Sequence, residues 1–508
     1  MKNNPLFLIG LLMAGCATAP VQQTITEAPA APVSSSDLIR STIDQAEVER
    51  HIRFLAADEL AGRDVGTPGL EVAARYMAEY FRSYGLQPLP GLEGYFQQVP
   101  FRQTKSPQQG QLTIGTQRFA LNEGFLMRDG ANGPLQQGPV LLLDYGTEAE
   151  LKADQVKGKW VLARAGKSPQ STSREVFFAS FEKQKQLQEM GALGLIELYT
   201  STQLPWDQMS RYLTGTQLQP LADRAALGPA GLPIFWVNDA SGNLMERLRK
   251  SKQPTVSGTI SGRSDRAINS PNVVALIEGT DPELKQEYVL LSAHYDHVGI
   301  GQPIEGDSIY NGARDNAIGT TALMMAARYF AQNPPKRSVI IAAWTAEEKG
   351  LLGSRWFVEH PPVPLRQIVY NLNIDGAGYN DTTKVTVIGL ERTEAEDDLM
   401  AAAQAFGLEA IKDPVPQMNL FDRSDNVHFA KAGIPAPTFS QGLTAFDAEV
   451  SKYYHQPADE AETINYQYVS RYTRAFVLAA EKVANSQQAP FWRSGDKYEQ
   501  AGKALYGR

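Results

Sequence analysis

Imidazoles and carboxylates stand in this chain where buried segments end. His294 and Asp296 close the apolar run YVLLSAH, and Asp315 precedes Asn316 and the segment TTALMMAARYFAQ. Glu347 and Glu348 follow SVIIAAW, Asp375 ends IVYNLNID, and His455 lies in the loop YYHQPADE. Their separations are far too long for a zinc finger. They fit ligands gathered from several strand ends into one crevice, where α/β folds place their ligands. Nitrogen and oxygen donors without thiolate suit zinc, with cobalt or manganese as substitutes. Two such ions can share a water and lower its pKa, which is hydrolytic chemistry.

Charge and side-chain direction divide the labour. Two divalent cations set against Asp315, Glu348, Asp375 and a bridging hydroxide, with two neutral imidazoles, make a nearly neutral site. Adjacent residues on an extended backbone point to opposite sides. Of Glu347 and Glu348, therefore, one binds metal and the other stands free to take a proton. His294 and Asp296 share a face, so Asp296 can orient His294. His297 is expected to point away from the site. An isolated carboxylate is usually only solvated, and an Asp-Asn pair is often a helix cap; the joint occupancy of all these positions carries the metal reading.

The elements that must hold these groups are an α/β fold, with a mostly parallel sheet sandwiched by helices. NVVALIEG, YVLLSAH, SVIIAAW, IVYNLNID and KVTVIGL read as strands. They alternate with the helix-like TTALMMAARYFAQ, EKGLLGSRWFVEH, EAEDDLMAAAQAFG and YVSRYTRAFVLAAEKVA. Upstream, Asp44 to Leu60 has helical spacing with Val48, Ile52 and Leu55 on one face. Pro68 suits a first helical turn, and the pattern runs to a stop at Gly85, with Val72, Tyr76, Met77, Tyr80 and Phe81 apolar. These helices are expected to pack on the sheet. His51, His360 and His428 are taken as structural or surface histidines. Between about 101 and 265 the texture changes to short apolar runs separated by Gly, Pro and Gln, without ligand spacing. One helix, Val176 to Met190, is expected there.

The 508 residues carry a net charge of −8, with 43% hydrophobic and 20% charged side chains, and no Lys/Arg run points to a nucleic acid. No G-x-S-x-G elbow suggests a serine hydrolase. The only cysteine is Cys16, so no disulfide can form within one chain. Residues 1–15 fit a signal peptide, too short to span a bilayer. Met13-Ala14-Gly15-Cys16 resembles a bacterial lipoprotein cleavage box, which implies cleavage before Cys16 and a lipid anchor on it. Ala17 after the cysteine suggests the outer membrane, facing the periplasm. Residues 16–36, rich in Ala, Pro, Thr, Gln and Ser, read as a disordered tether.

Together, AHYDHVG, NGARDNAIG, TAEEKGLLGS, NLNIDGAG, SDNVHFAKAGIP and YYHQPADE resemble the co-catalytic dizinc exopeptidases of the bacterial leucyl aminopeptidase family. LAADELAGRDVGTPG is similar to that family's N-terminal region. The resemblance implies that His294 and Asp375 bind one zinc, that Glu348 and His455 bind the other, and that Asp315 bridges them. Glu347 would be the general base and Asp296 the support of His294. The activity implied is hydrolysis of N-terminal residues from peptides. GKWVLARAG, EMGALGLIELY and LPIFWVNDASGNLM resemble a protease-associated domain. The resulting division is 37–100 and 266–490 for the peptidase, 101–265 for the insert and 491–508 for a tail. Where some members have a carbonyl-polarising Tyr, Leu420 and Phe421 stand here; Tyr453, Tyr454 and Arg423 are substitutes to consider. A carboxypeptidase or glutaminyl-cyclase-like enzyme of the same superfamily is an alternative, as is a non-catalytic binding protein, although no ligand is lost. A carboxypeptidase needs a cation for a terminal carboxylate, and Arg314 and Arg423 lie near the site motifs.

Overall fold

The computed structural model describes residues 33–200, 205–221 and 230–508. The expected signal peptide, Cys16 and most of the tether lie outside the described residues. The first helix, Ser35–Thr42, starts inside the segment expected to be tether, because the Ser34 hydroxyl accepts from the Asp37 N–H and caps it.

Nine strands form the sheet that carries the site motifs. At its centre Thr438–Gln441, Ile368–Ile374, Tyr288–His294 and Ser338–Trp344 run parallel to one another. Their apolar residues are buried on both faces, which is why these runs are continuous rather than alternating. The flanks are antiparallel: Ser264–Ile277 pairs with Ser338–Trp344, and Lys384–Ile388 with Thr438–Gln441. The α/β sandwich expected from the sequence is present; its sheet is mixed, parallel in the middle and antiparallel toward the edges.

Helices cover both faces. Ile318–Gln332 and Tyr466–Asn485 pack against the helices Gln45–Leu55 and Pro68–Ser83 over one apolar core. Asp44 caps the first of the upstream pair by accepting from the Glu47 N–H, and Pro68 opens the second. The core face of Pro68–Ser83 is Leu70, Ala73, Ala74, Met77, Ala78 and Phe81; Val72, expected among the apolar contacts, is exposed. On the other face Trp344, Phe357 and Phe429 pack together, and the chain's tail closes over them with buried Trp492, whose indole N–H donates to the Gly433 carbonyl at 2.9 Å.

The insert hangs from one antiparallel pair. Phe96–Lys105 and Ser264–Ile277 run side by side from Phe96↔Val273 to Lys105↔Ser264, so the chain leaves the main sheet and returns at neighbouring residues. Between them a second sheet, containing Trp160–Arg164, Gly194–Tyr199 and Ile234–Asn238, builds its own core around Trp160 and Phe235. The helix Ser173–Glu189 packs on it, opened by Thr172 and Glu175 in a reciprocal cap. One strand of the insert, Thr216–Pro220, crosses over and pairs with Phe101–Lys105 in the main sheet.

Candidate metal centre

Four parallel strands end at one rim, and the site is built on the loops that leave it. Tyr288–His294 delivers His294 as its last residue. Ser338–Trp344 stops three residues before Glu347, with Ala346 at φ 58° turning the chain. Asp375 follows Ile368–Ile374. Asp315 sits in the irregular turn Ala313–Ala317, before the helix Ile318–Gln332. His455 follows the short helix Ala448–Ser451 in a left-handed conformation, φ 53°.

These loops bring the expected residues into two overlapping groups. In the first, His294 Nε2 lies 3.2 Å from Asp315 Oδ1 and 3.3 Å from Asp375 Oδ1. In the second, His455 Nε2 lies 3.3 Å from Asp315 Oδ2 and 3.2 Å from Glu348 Oε2. Asp315 thus faces one group with each carboxylate oxygen. The donor atoms of each group lie within 4.8 Å of one another, as atoms around a shared cation do.

His297 joins the second group, contrary to the expectation that it points away. Its Nδ1 is 2.8 Å from Glu348 Oε1 and the residue is fully buried. Strand alternation does not reach it, because the strand ends at His294. The turn beyond is set instead by Arg63, whose carbonyl accepts the His297 N–H at 3.2 Å. Gly312 permits this packing. At φ +60° it has no Cβ, and one would lie 2.5 Å from His297 Cδ2.

Asp296 supports the site in a way the sequence did not indicate. Its backbone carbonyl, not its carboxylate, is the nearer partner of His294 Nδ1, at 3.1 Å against 3.9 Å. A carbonyl only accepts, so Nδ1 carries a proton, and Nε2, which faces the Asp315 and Asp375 carboxylates, is the nitrogen a metal ion would take up. The Asp296 carboxylate accepts from the N–H groups of Glu347 (3.1 Å) and Glu348 (3.3 Å). It therefore positions the turn bearing both glutamates.

Other groups that fix the site escaped the sequence reading. The buried Arg63 donates to the carbonyls of Tyr295 (2.9 Å), Asn311 (2.7 Å) and Gly312 (3.1 Å), tying the His294 and Asp315 loops together. Asp459 accepts from the backbone of Arg314 and Asp315 and pairs with the Arg314 guanidinium at 3.0 Å. Arg63 and Asp459 lie in polar loops with no periodicity, so only contact partners reveal them. Arg314 is buried, bonds Thr463, and lies 3.6 Å over the Tyr453 ring. That engagement removes both Arg314 and Tyr453 from the cleft. Tyr454, stacked on His455 with ring centroids 4.1 Å apart, and Arg423 do line it.

The electrostatics follow from the crowding of carboxylates and imidazoles. Asp296, Asp315, Glu347, Glu348, Asp375 and Asp425 crowd a largely buried volume. Burial pushes the Glu347 carboxyl well above its usual range, with the charges of Asp375, Glu348 and Asp425 adding to it. Burial and the same neighbourhood raise Asp425 to about 7. At Asp315 burial acts the same way, but the imidazoles of His294, His455 and His297 outweigh it and hold the carboxyl well below normal. Burial lowers His455, yet contacts with Asp315 and Glu348 carry it up to about 10. Positions that draw a proton onto an imidazole so strongly are positions that would accept a divalent cation. The donor set, imidazole nitrogens and carboxylate oxygens grouped about Asp315, fits zinc. The cleft beside it, about 440 Å³, is lined by Glu347, Glu348, Asp375, Arg423 and Tyr454 and by apolar side chains including Met418, Leu443 and Phe446.

The chain resembles known proteins in sequence and in fold. Residues 272–480 match the model of peptidase family M28. The chain is 24% identical over 332 residues to aminopeptidase YwaD of Bacillus subtilis, covering 64% of this chain and 62% of that protein. It is 35% identical over 109 residues to the vacuolar membrane protease of Saccharomyces cerevisiae, 22% of this chain and 10% of that one. The chain thus spans less than two thirds of the length of these curated relatives. Among solved structures, an aminopeptidase from Aneurinibacillus sp. strain AM-1 superposes with a TM-score of 0.58 at 19% identity, over 89% of this chain and 97% of that one. The last match shares the fold.

Proposed function

We propose that the M28 domain is a metallo-aminopeptidase: with two zinc ions bound, it removes residues from the N-terminal end of peptides. The observation that supports two ions is the Asp315 carboxylate, one oxygen of which faces His294 and the other His455. His294 and Asp375 would hold one ion, Glu348 and His455 the other, and Asp315 both. The ions, when bound, would supply Lewis acidity to the scissile carbonyl and acidify a water.

The remaining work falls to side chains. Glu347 lines the cleft beside the donor set without belonging to either group, the place a general base takes. It takes a proton from the attacking water as the new C–O bond forms. It returns that proton to the leaving nitrogen as the C–N bond breaks. Asp296 holds the Glu347 peptide during both transfers. Tyr454 is the cleft-lining hydroxyl left to meet the substrate carbonyl, and Arg423 is a cation left to meet a carboxyl.

The amino-terminal direction rests on the family resemblance and on a carboxylate-rich wall suited to an amine. The kinship with leucyl aminopeptidases, and the protease-associated character of the insert, belong to the same proposal; the insert would govern substrate access or partner contacts. The chain would be exported and anchored to a membrane by lipid at Cys16, facing the periplasm.

Activity should vanish with a strong chelator and return with zinc. Aminoacyl anilides should be cleaved and their N-acetyl forms should not. Full activity in protein shown to be metal-free would sink the mechanism, and cleavage that survives N-acetylation would sink the direction.

A further inference from the structure

Among the described residues, Arg423 is the lone arginine or lysine lining the cleft, whose other charged walls are Asp315, Glu347, Glu348, Asp375 and His455. Its side chain is exposed, and among the described residues no carboxylate lies within ion-pair distance of it. The backbone beneath it is fixed. Its N–H donates to the Leu420 carbonyl at 3.1 Å, and the next residue, Ser424, is buried and accepts from Asn373 at 2.9 Å. Asn373 lies on the strand that delivers Asp375. The cation is therefore anchored to the site's framework while remaining unpaired with the site's own anions. Arg314, the other arginine beside the motifs, is consumed by Asp459 and Thr463.

A cleft with carboxylates at one part and an unpaired guanidinium at another is complementary to a zwitterion. We propose that Arg423 receives a substrate carboxylate, and that the substrates are accordingly short peptides whose free carboxyl end reaches it. This rests on the aminopeptidase reading, since the amino end must lie at the metal donors. A guanidinium binds a carboxylate through paired N–H donors, a geometry an amide cannot reproduce. Each further residue carries the terminal carboxylate at most ~3.5 Å onward. The preference therefore holds for di- and tripeptides and fades with length.

The test compares, on zinc-loaded full-length protein, a dipeptide, its C-terminal amide, the corresponding aminoacyl anilide, and a dipeptide amide bearing Glu after the scissile bond. Wild type should show a KM for the free dipeptide about 10-fold below that for its amide, the effect of one charged hydrogen-bonded contact at an accessible site. Arg423→Ala should erase that difference by raising KM for the free dipeptide about 10-fold more than KM for its amide or for the anilide, and Arg423→Lys should restore part of it. A pentapeptide and its amide should not differ. Equal use of dipeptide and amide by wild type overturns the proposal. So does a loss in Arg423→Ala that falls equally on the anilide. If the loss falls on the Glu-bearing amide instead, the carboxylate is a side chain's, and the preference for short peptides is wrong. If wild type cleaves nothing, the anilide included, the aminopeptidase reading itself has failed and this inference falls with it.

Discussion

Glu347 and Glu348 are neighbours with opposite fates. Glu348 faces His297 and His455, whose contacts overcome burial and the charge of Asp315 and bring its carboxyl down to about 2. Glu347 has no such partner and is pushed well up. Glu347→Gln should keep metal content near that of wild type while kcat falls by about 10²–10⁴, the usual worth of general-base help. Glu348→Gln should instead weaken binding of one ion, read by chelator competition and elemental analysis. The reverse pattern would exchange their roles. Much of this site was legible in the sequence, because His294, Glu347, Glu348 and Asp375 close or follow apolar runs and Asp315 precedes one, whereas His455 stands out only by the motif of its loop. His297 was misread, since alternation was extended past the last strand residue. Arg63 and Asp459 act through backbone groups of distant loops, which no local pattern encodes.

At the scale of elements, the helices Gln45–Leu55 and Pro68–Ser83 meet around His51, a polar group inside an apolar contact. Its Nδ1 is 2.7 Å from the Tyr76 hydroxyl, and its ring meets Tyr80 edge-on. Glu47 is nearby at 3.7 Å, but that carboxylate is claimed by Arg328. Burial, helped by the charge of Arg50, lowers His51 to about 4, so the fold holds it neutral. Its contribution is complete above the unfolded value near 6.5 and is lost as pH falls toward 4. The limit of that loss is about 3 kcal/mol. Thermal melts from pH 7 to 4 should show a smaller drop for His51→Gln than for wild type; parallel curves would refute the assignment. The element starts were readable where chemistry marks them, as at Asp44 and Pro68. The hairpin Gly299–Ile304 with Asp307–Tyr310 was not, since its Gly, Pro and acidic residues read as loop.

At the scale of the whole molecule, the last residues close the core rather than trail from it. Trp492 is buried among Phe421, Phe429 and Ala436, and Arg392 ties the tail to the body through Asp496 at 2.7 Å. Trp492→Ala should cost about 3–5 kcal/mol, read as a lower urea midpoint at unchanged slope. A surface role would leave the midpoint in place. The tail's apolar residues are too few and too widely spaced for periodicity to announce this packing. Among the described residues no helix is long and apolar enough to cross a membrane. The proposed attachment is at Cys16: Cys16→Ser should abolish incorporation of labelled fatty acid and release the protein from membranes. Incorporation that persists would remove the anchor.

The pairing of Lys105 with Ser264 has a consequence in time. A ribosome makes the strand Phe96–Lys105 well before its partner Ser264–Ile277, and the whole insert emerges between them. The early helices and that strand must wait, with apolar faces open, while the second sheet assembles. His455 comes later still. A nascent chain therefore lacks part of its donor set until nearly all of it has been synthesised, and the proposed hydrolysis would have to wait for the chain's last tenth.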